Sequence, residues 1–116
     1  MKPATKRKWA NRVAEVLETW PNQFISYQEL ADKLELHLAR HACMMHGLGF
    51  LKVDDKFNGR PIRSARVVSF AHGDPMVGEG FFTRDEWSDN PQVRREVWKS
   101  QLTGNYVLKP GASHEA

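Results

Sequence analysis

Four residues able to bind a metal stand within ten positions: His37, His41, Cys43 and His46. These are the residue types of a zinc site. On a helix, His37 and His41 lie at i and i+4 and could share one ion, but Cys43 and His46 project elsewhere. No second ligand pair lies nearby, so the spacing implies no closed tetrahedral site. Cys43 is the only cysteine. Its flanks fit no nucleophile motif, and no general base stands at a fixed spacing from it. The Gly-rich run AHGDPMVGEG lacks the Gly-Lys-Ser/Thr step of a phosphate loop. No pair of carboxylates and no His/Ser/Asp set compels a reaction. The chain is therefore expected to bind rather than to catalyse, with no metal and no cofactor.

The elements that position these residues lie between Ser26 and Phe70. Ser26 and Glu29 form an S-x-x-E capping box, which opens a helix. Leu30, Ala31 and Leu34 give that helix a buried side. A further helix is expected over about Leu38–Leu48, with Leu38, Ala42 and Met45 inward. Arg40, Cys43, Met44 and Gly47 then face outward, and His37 and His41 lie at the edge of that face. Gly49 is read as its stop. Asn58-Gly59 between two apolar-rich runs predicts a β-hairpin of Phe50–Phe57 against Arg60–Phe70. Lys52, Lys56, Arg60, Arg63 and Arg66 load that hairpin with cations, and Asp54 is placed opposite Arg63. Upstream, Trp9, Val13, Val16, Leu17 and Trp20 define the apolar face of a helix from about Lys6 to Trp20, ended by Pro21. Lys6, Arg7 and Lys8 crowd its first turn. There the helix dipole disfavours cations by a few tenths of a kcal/mol each, and phosphate contact would give them a use.

ELADKLEL followed by LARHACMMHGLGFLKV resembles the core of a winged helix-turn-helix DNA-binding domain. The likeness rests on Leu30-Ala31, on the Leu38–Leu48 helix and on Gly49-Phe50-Leu51, and it covers about residues 5–70. It implies an α+β fold of three helices plus a β-hairpin wing. It also implies a short strand at Phe24-Ile25 that pairs with the hairpin. A weaker likeness joins WANRVAEVLETWPNQFISYQELA, LARHA and RVV to the DNA-binding half of alkylguanine-DNA alkyltransferases. That family's Tyr after the helix-opening residue would be Tyr27 and its lesion-flipping Arg would be Arg40. Its Pro-Cys-His-Arg-Val run would fall on Arg63-Ser64-Ala65-Arg66-Val67. Ser64 and Ala65 then replace the acceptor Cys and the activating His, so DNA binding carries over without the chemistry.

The resemblance implies double-stranded DNA as partner and a small transcriptional regulator as function. The alternative is a winged-helix module that binds protein and no DNA. The expected interface comprises Lys6, Arg7, Lys8, Tyr27, His37, Arg40, His41, Met44, Lys56, Arg60, Arg63 and Arg66. Arg40 is the one outward residue of the third helix suited to a bidentate contact with guanine. Met44 and Gly47 would allow close apolar approach.

At 116 residues the chain is long enough for one core without staples. Residues 1–70 hold 12 Lys/Arg against 7 Asp/Glu, and residues 71–116 hold 5 against 7. The basic excess thus sits in the part that resembles a DNA-binding unit. One cysteine excludes an internal disulfide and fits a reducing compartment. No apolar run is long enough for a membrane span and no signal-peptide pattern opens the chain, so a cytoplasmic protein without membrane contact is expected. After Phe70 the composition changes. Residues 71–108 are read as a loop and helical extension. A second capping box lies at Thr83 and Glu86, and a last helix opens at Asn90-Pro91 and runs to about Leu102. Two uses are open for it: a lid on the core, or a homodimer surface over residues 81–102 carrying Phe81, Phe82, Trp87 and Trp98. Residues 109–116 are read as a flexible tail.

Overall fold

The computed structural model describes residues 1–37, 40–71 and 73–102. Helix α1, Pro3–Thr19, starts with proline in its first turn and buries Trp9, Ala10, Val13, Ala14 and Leu17. Its start lies three residues before the expected one. Arg66 closes its far end. The guanidinium donates to the carbonyls of Leu17, Trp20, Asn22 and Gln23, the acceptors left open where a helix stops. A two-residue strand β1, Ile25–Ser26, leads into helix α2, Tyr27–Lys33. The capping box there is complete. The Ser26 hydroxyl accepts from the Glu29 N–H at 3.0 Å, and the Glu29 carboxylate accepts from the Ser26 N–H at 2.9 Å.

Helix α3, His41–Phe57, overturns the reading of residues 50–70 as a hairpin wing. It does not stop at Gly49. Met44, Leu48, Leu51 and Asp55 continue one buried stripe at helical spacing across that glycine. An interior glycine costs only about 1 kcal/mol in a helix, which burial of Leu48 and Leu51 exceeds. Asn58-Gly59 makes a helix end instead of a hairpin turn. Gly59 adopts φ +68°. Its N–H reaches the Lys56 carbonyl and the Arg60 N–H reaches that of Asp55, the paired bonds of a Schellman cap. The dipeptide signals a left-handed residue, which both endings require.

The helix is also rotated from its expected setting. Met44 and Gly47 are buried, whereas Ala42 and Met45 face solvent. Gly47 decides this. A Cβ there would lie 2.9 Å from the Trp9 carbonyl carbon, so only glycine lets α3 come this close to α1.

After the cap, a 3-10 turn Arg63–Arg66 leads into strand β2, Val67–Val68. β2 pairs with β1 in parallel, Ile25 with Val67 and Ser26 with Val68. The short strand before α2 is thus present, but its partner is a crossover strand and not a hairpin arm. Helix α4, Pro91–Leu102, completes the described fold. The Asn90 side chain caps it by accepting from the Gln92 N–H at 2.9 Å.

Two apolar clusters result. The first joins α1, α2 and α3 through Val13, Leu17, Leu30, Met44 and Leu51. The second gathers Ile62, Ala65, Val68 and Val77 around Trp98, with Phe24, Phe81 and Phe82 at its margin. The Trp98 indole N–H donates to the Ala65 carbonyl at 2.8 Å. Segment 76–102 therefore covers the 3-10 turn and β2, and the architecture is α+β with a minimal sheet. Among the described residues no helix is long and apolar enough to cross a membrane. The tail expected over 109–116 lies outside the described residues.

Candidate nucleic-acid interface

The expected interface residues divide by what their charges already do. Asp55, with no exposed surface, sits between two arginines. It accepts from Arg63 through the backbone N–H at 3.1 Å and the guanidinium at 2.8 and 3.2 Å, and from Arg60 Nε at 3.1 Å. Arg60 also pairs with Asp54, and Arg63 reaches Glu18 at 2.9 Å. The hydrogen bonds to Asp55 hold the Arg63 guanidinium above its ordinary pKa against the opposing effect of burial. Lys56 pairs with Glu86 at 3.0 Å. Arg66 is spent on the end of α1. Four of the expected phosphate contacts are thus fastenings of the fold. Tyr27, at the start of α2, is likewise engaged. Its phenol oxygen accepts from the Gly78 N–H at 2.9 Å, and burial pushes its pKa up. Met44, expected to face outward, is buried.

Another set is left open. Lys6, Arg7 and Lys8 in the first turns of α1 enter no ion pair among the described residues, nor does Arg40. Lys8 and Arg40 are exposed, as is His37, and His41 begins α3 half-buried. Arg7 is exposed and rests its guanidinium 5.3 Å from the Phe50 ring centroid. Lys6, Lys8, Arg40 and His41 belong to the first turns of α1 and α3, whereas the Arg7 guanidinium turns along α3 and lines a pocket with Glu15, Glu18, Phe50 and Asp54. Trp9 meets Gly47. Nine residues on, Glu18 reaches Arg63, which is fixed to Asp55 near the end of α3. The pairings advance together, so α1 and α3 run side by side in the same sense with their amino ends adjacent. Each is 17 residues long, and each amino end carries a partial positive charge of its own. Two helix starts thus lie near cations that enter no ion pair among the described residues.

The four histidine and cysteine positions do not assemble. Among the described residues no group of three or more His, Cys, Asp or Glu is placed to hold a metal.

A small cavity of about 50 Å³ lies elsewhere, between α2, α3 and the 3-10 turn. Tyr27, Met45, Leu48, Lys52, Ser64 and Phe81 line it, with Gly49 and Gly80. Composition alone gives no hint of it. The expected hairpin puts Lys52 on a wing strand, although its spacing from Leu48 and Asp55 places it on the buried stripe. Its ammonium donates to the Phe81 carbonyl and the Glu86 carboxylate, and lies 3.6 Å from the Phe81 ring centroid. Burial pushes the Lys52 pKa down, and Glu86 opposes that. The Ser64 hydroxyl is buried and has no hydrogen-bond partner among the described residues. Tyr27 and Ser64 line the same cavity.

No protein-family model, no curated protein and no solved structure matches this chain.

Proposed function

We propose that this chain is a small protein that binds duplex DNA through the shared amino end of α1 and α3. One observation carries the reading. Among the described residues, Arg40, Lys6, Arg7 and Lys8 stand without ion pairs near the starts of two parallel helices, while Lys56, Arg60, Arg63 and Arg66 already hold partners within the fold. In this reading Arg40 enters a groove and the cations of α1 hold phosphates. The likeness to the alkyltransferases supports it. Arg40, the position that resembles the family's flipping Arg, stands at the N-cap of α3, and Tyr27 and Ser64 share a cavity. With Ser64 and Ala65 in place of Cys and His, the chain binds without accepting an alkyl group. A transcriptional role stays within this proposal, and a binding selection on a genomic library would return its preferred site.

The test is fluorescence anisotropy on duplexes over a salt series. Neutralising Z phosphates gives a log–log slope of roughly −0.9Z. Arg40→Ala should cost about 1–3 kcal/mol on a preferred site. Replacing Lys6, Arg7 and Lys8 by Ala should weaken all sequences and flatten the slope by about one unit for each phosphate no longer neutralised. No binding, or a flat slope, favours the alternative, a protein-docking module. The observation behind that alternative is the outer face of α3, where Met45, Val53 and Phe57 are 44%, 61% and 88% exposed.

A further inference from the structure

Helix α3 is apolar on two opposite sides. Met44, Leu48 and Leu51 face the core, while Ala42, Met45, Gly49, Val53 and Phe57 are exposed. A helix apolar all round is normally covered, and an exposed apolar row rimmed by polar groups marks an interaction surface. Met45, Gly49, Val53 and Phe57 stand four residues apart. They form one i±4n ridge, the feature through which helices pack. Gly49 is a notch in that ridge. A Cβ at Gly47 would strike Trp9, but one at Gly49 would meet nothing within 4 Å. The described fold therefore gives Gly49 no use, although glycine weakens a helix interior. A backbone approaching from outside does give it one.

The occupant follows from symmetry and charge. Met45 and Val53 lie four residues on either side of Gly49. Two α3 helices crossing antiparallel at Gly49 therefore seat Met45 of each copy on Val53 of the other, a self-complementary contact. Antiparallel packing also sets the positive amino end of each helix beside the negative carboxyl end of the other. The side chains match this. Arg40 at the amino end enters no ion pair among the described residues. Asp54 and Asp85, beside the carboxyl end, keep 40% and 49% of their side chains exposed. We infer that the outward ridge of α3 is a contact between two copies of this chain, with the two-fold axis at Gly49. One helix ridge is small against the roughly 20–30 residues a side of a standard interface, so the affinity is low and the chain pairs at about 0.1–1 mM. The pairing does not rest on DNA binding.

Sedimentation equilibrium of the full chain, taken up to millimolar concentration, reads the pairing as a shift from monomer to dimer. Val53→Ser combined with Phe57→Ser should weaken it by about tenfold or more. Both side chains are exposed, so the melting temperature should hardly change. Gly49→Leu should weaken it by a similar factor, because the notch is filled, while melting stays the same or rises with the better helix former. The register is read by cysteines in a Cys43→Ser background. Met45→Cys and Val53→Cys chains, mixed and oxidised, should form a disulfide with each other but neither with itself. A chain that stays monomeric at millimolar concentration would overturn the contact. So would a dimer that keeps its affinity in the ridge variants, which places the contact elsewhere. Disulfides formed within each cysteine variant alone would overturn the antiparallel crossing at Gly49.

Discussion

Removing the guanidinium of Arg63 decides between a fastening and a phosphate contact. Asp55 has no exposed surface and accepts four hydrogen bonds, three from Arg63 and one from Arg60. Arg63→Met keeps the stem and the backbone N–H but removes both charged donors. Arg60 remains, with 45% of its side chain exposed, so it compensates only in part. Breaking a buried pair by removing one partner costs about 3–5 kcal/mol, because the other charge is left uncompensated. With Arg60 and the backbone N–H retained, the lower end of that range, about 3 kcal/mol, is expected. The exposed contact with Glu18 adds little. For a domain of this size the melting temperature should fall by roughly 10–20 °C. Urea unfolding followed by tryptophan fluorescence reads the change directly. The double variant Asp55→Leu with Arg63→Met should recover much of the loss, since an apolar pair of similar volume is nearly neutral against a buried ion pair. A loss under about 1 kcal/mol, or a double variant as poor as the sum of the singles, would refute the buried lock. Unchanged stability with weaker DNA binding and a flatter salt slope would return Arg63 to the interface.

Three further outcomes are expected. Burial alone would raise the Glu86 carboxyl, but hydrogen bonds from Lys52 and the Thr83 N–H, with the charge of Lys52, outweigh it and hold the group at about 2. A lowered folded-state value stabilises above the ordinary pKa of 4.5 and is lost as pH falls towards 2. The urea midpoint should therefore drop between pH 5 and pH 2, and the Glu86→Gln variant should show a smaller drop over that window. Glu35 holds φ +58° at the end of α2. There its N–H and that of Leu36 bond the Asp32 and Ala31 carbonyls, so Glu35→Gly should stabilise by about 1 kcal/mol, read as a higher urea midpoint at unchanged slope. Trp98 is buried, Phe81 and Phe82 pack against its cluster, and Trp87 and Val93 are left as the larger exposed apolar groups of the extension. Sedimentation at micromolar concentration should accordingly give a monomer, and a dimer would restore residues 81–102 as an interface.

The parts of this fold that could be read from the chain are those fixed by local chemistry. Ser26 and Glu29 satisfy each other's backbone within one turn, and Asn90-Pro91 starts a helix with no help from elsewhere. Trp9, Val13 and Leu17 follow a period that any buried helix face imposes. The parts that could not be read depend on distant partners. Asn58-Gly59 supplies a left-handed residue to a hairpin or to a helix end. The choice fell to Leu48, Leu51 and Asp55, whose buried stripe runs straight through Gly49. The rotation of α3 depended on Gly47 meeting the backbone of Trp9, 38 residues away. Charge misled for the same reason. Lys56, Arg60, Arg63 and Arg66 are cations in any composition count, yet their partners are Glu86, Asp54, Asp55 and the carbonyls that end α1. Only a folded chain separates a cation that holds the structure from one that can hold a phosphate. Arg40, Lys6, Arg7 and Lys8 enter no ion pair among the described residues, and they are four of the twelve positions that charge and resemblance proposed. The interface proposed here is therefore narrower than the sequence suggested, and it rests on two helices that begin side by side.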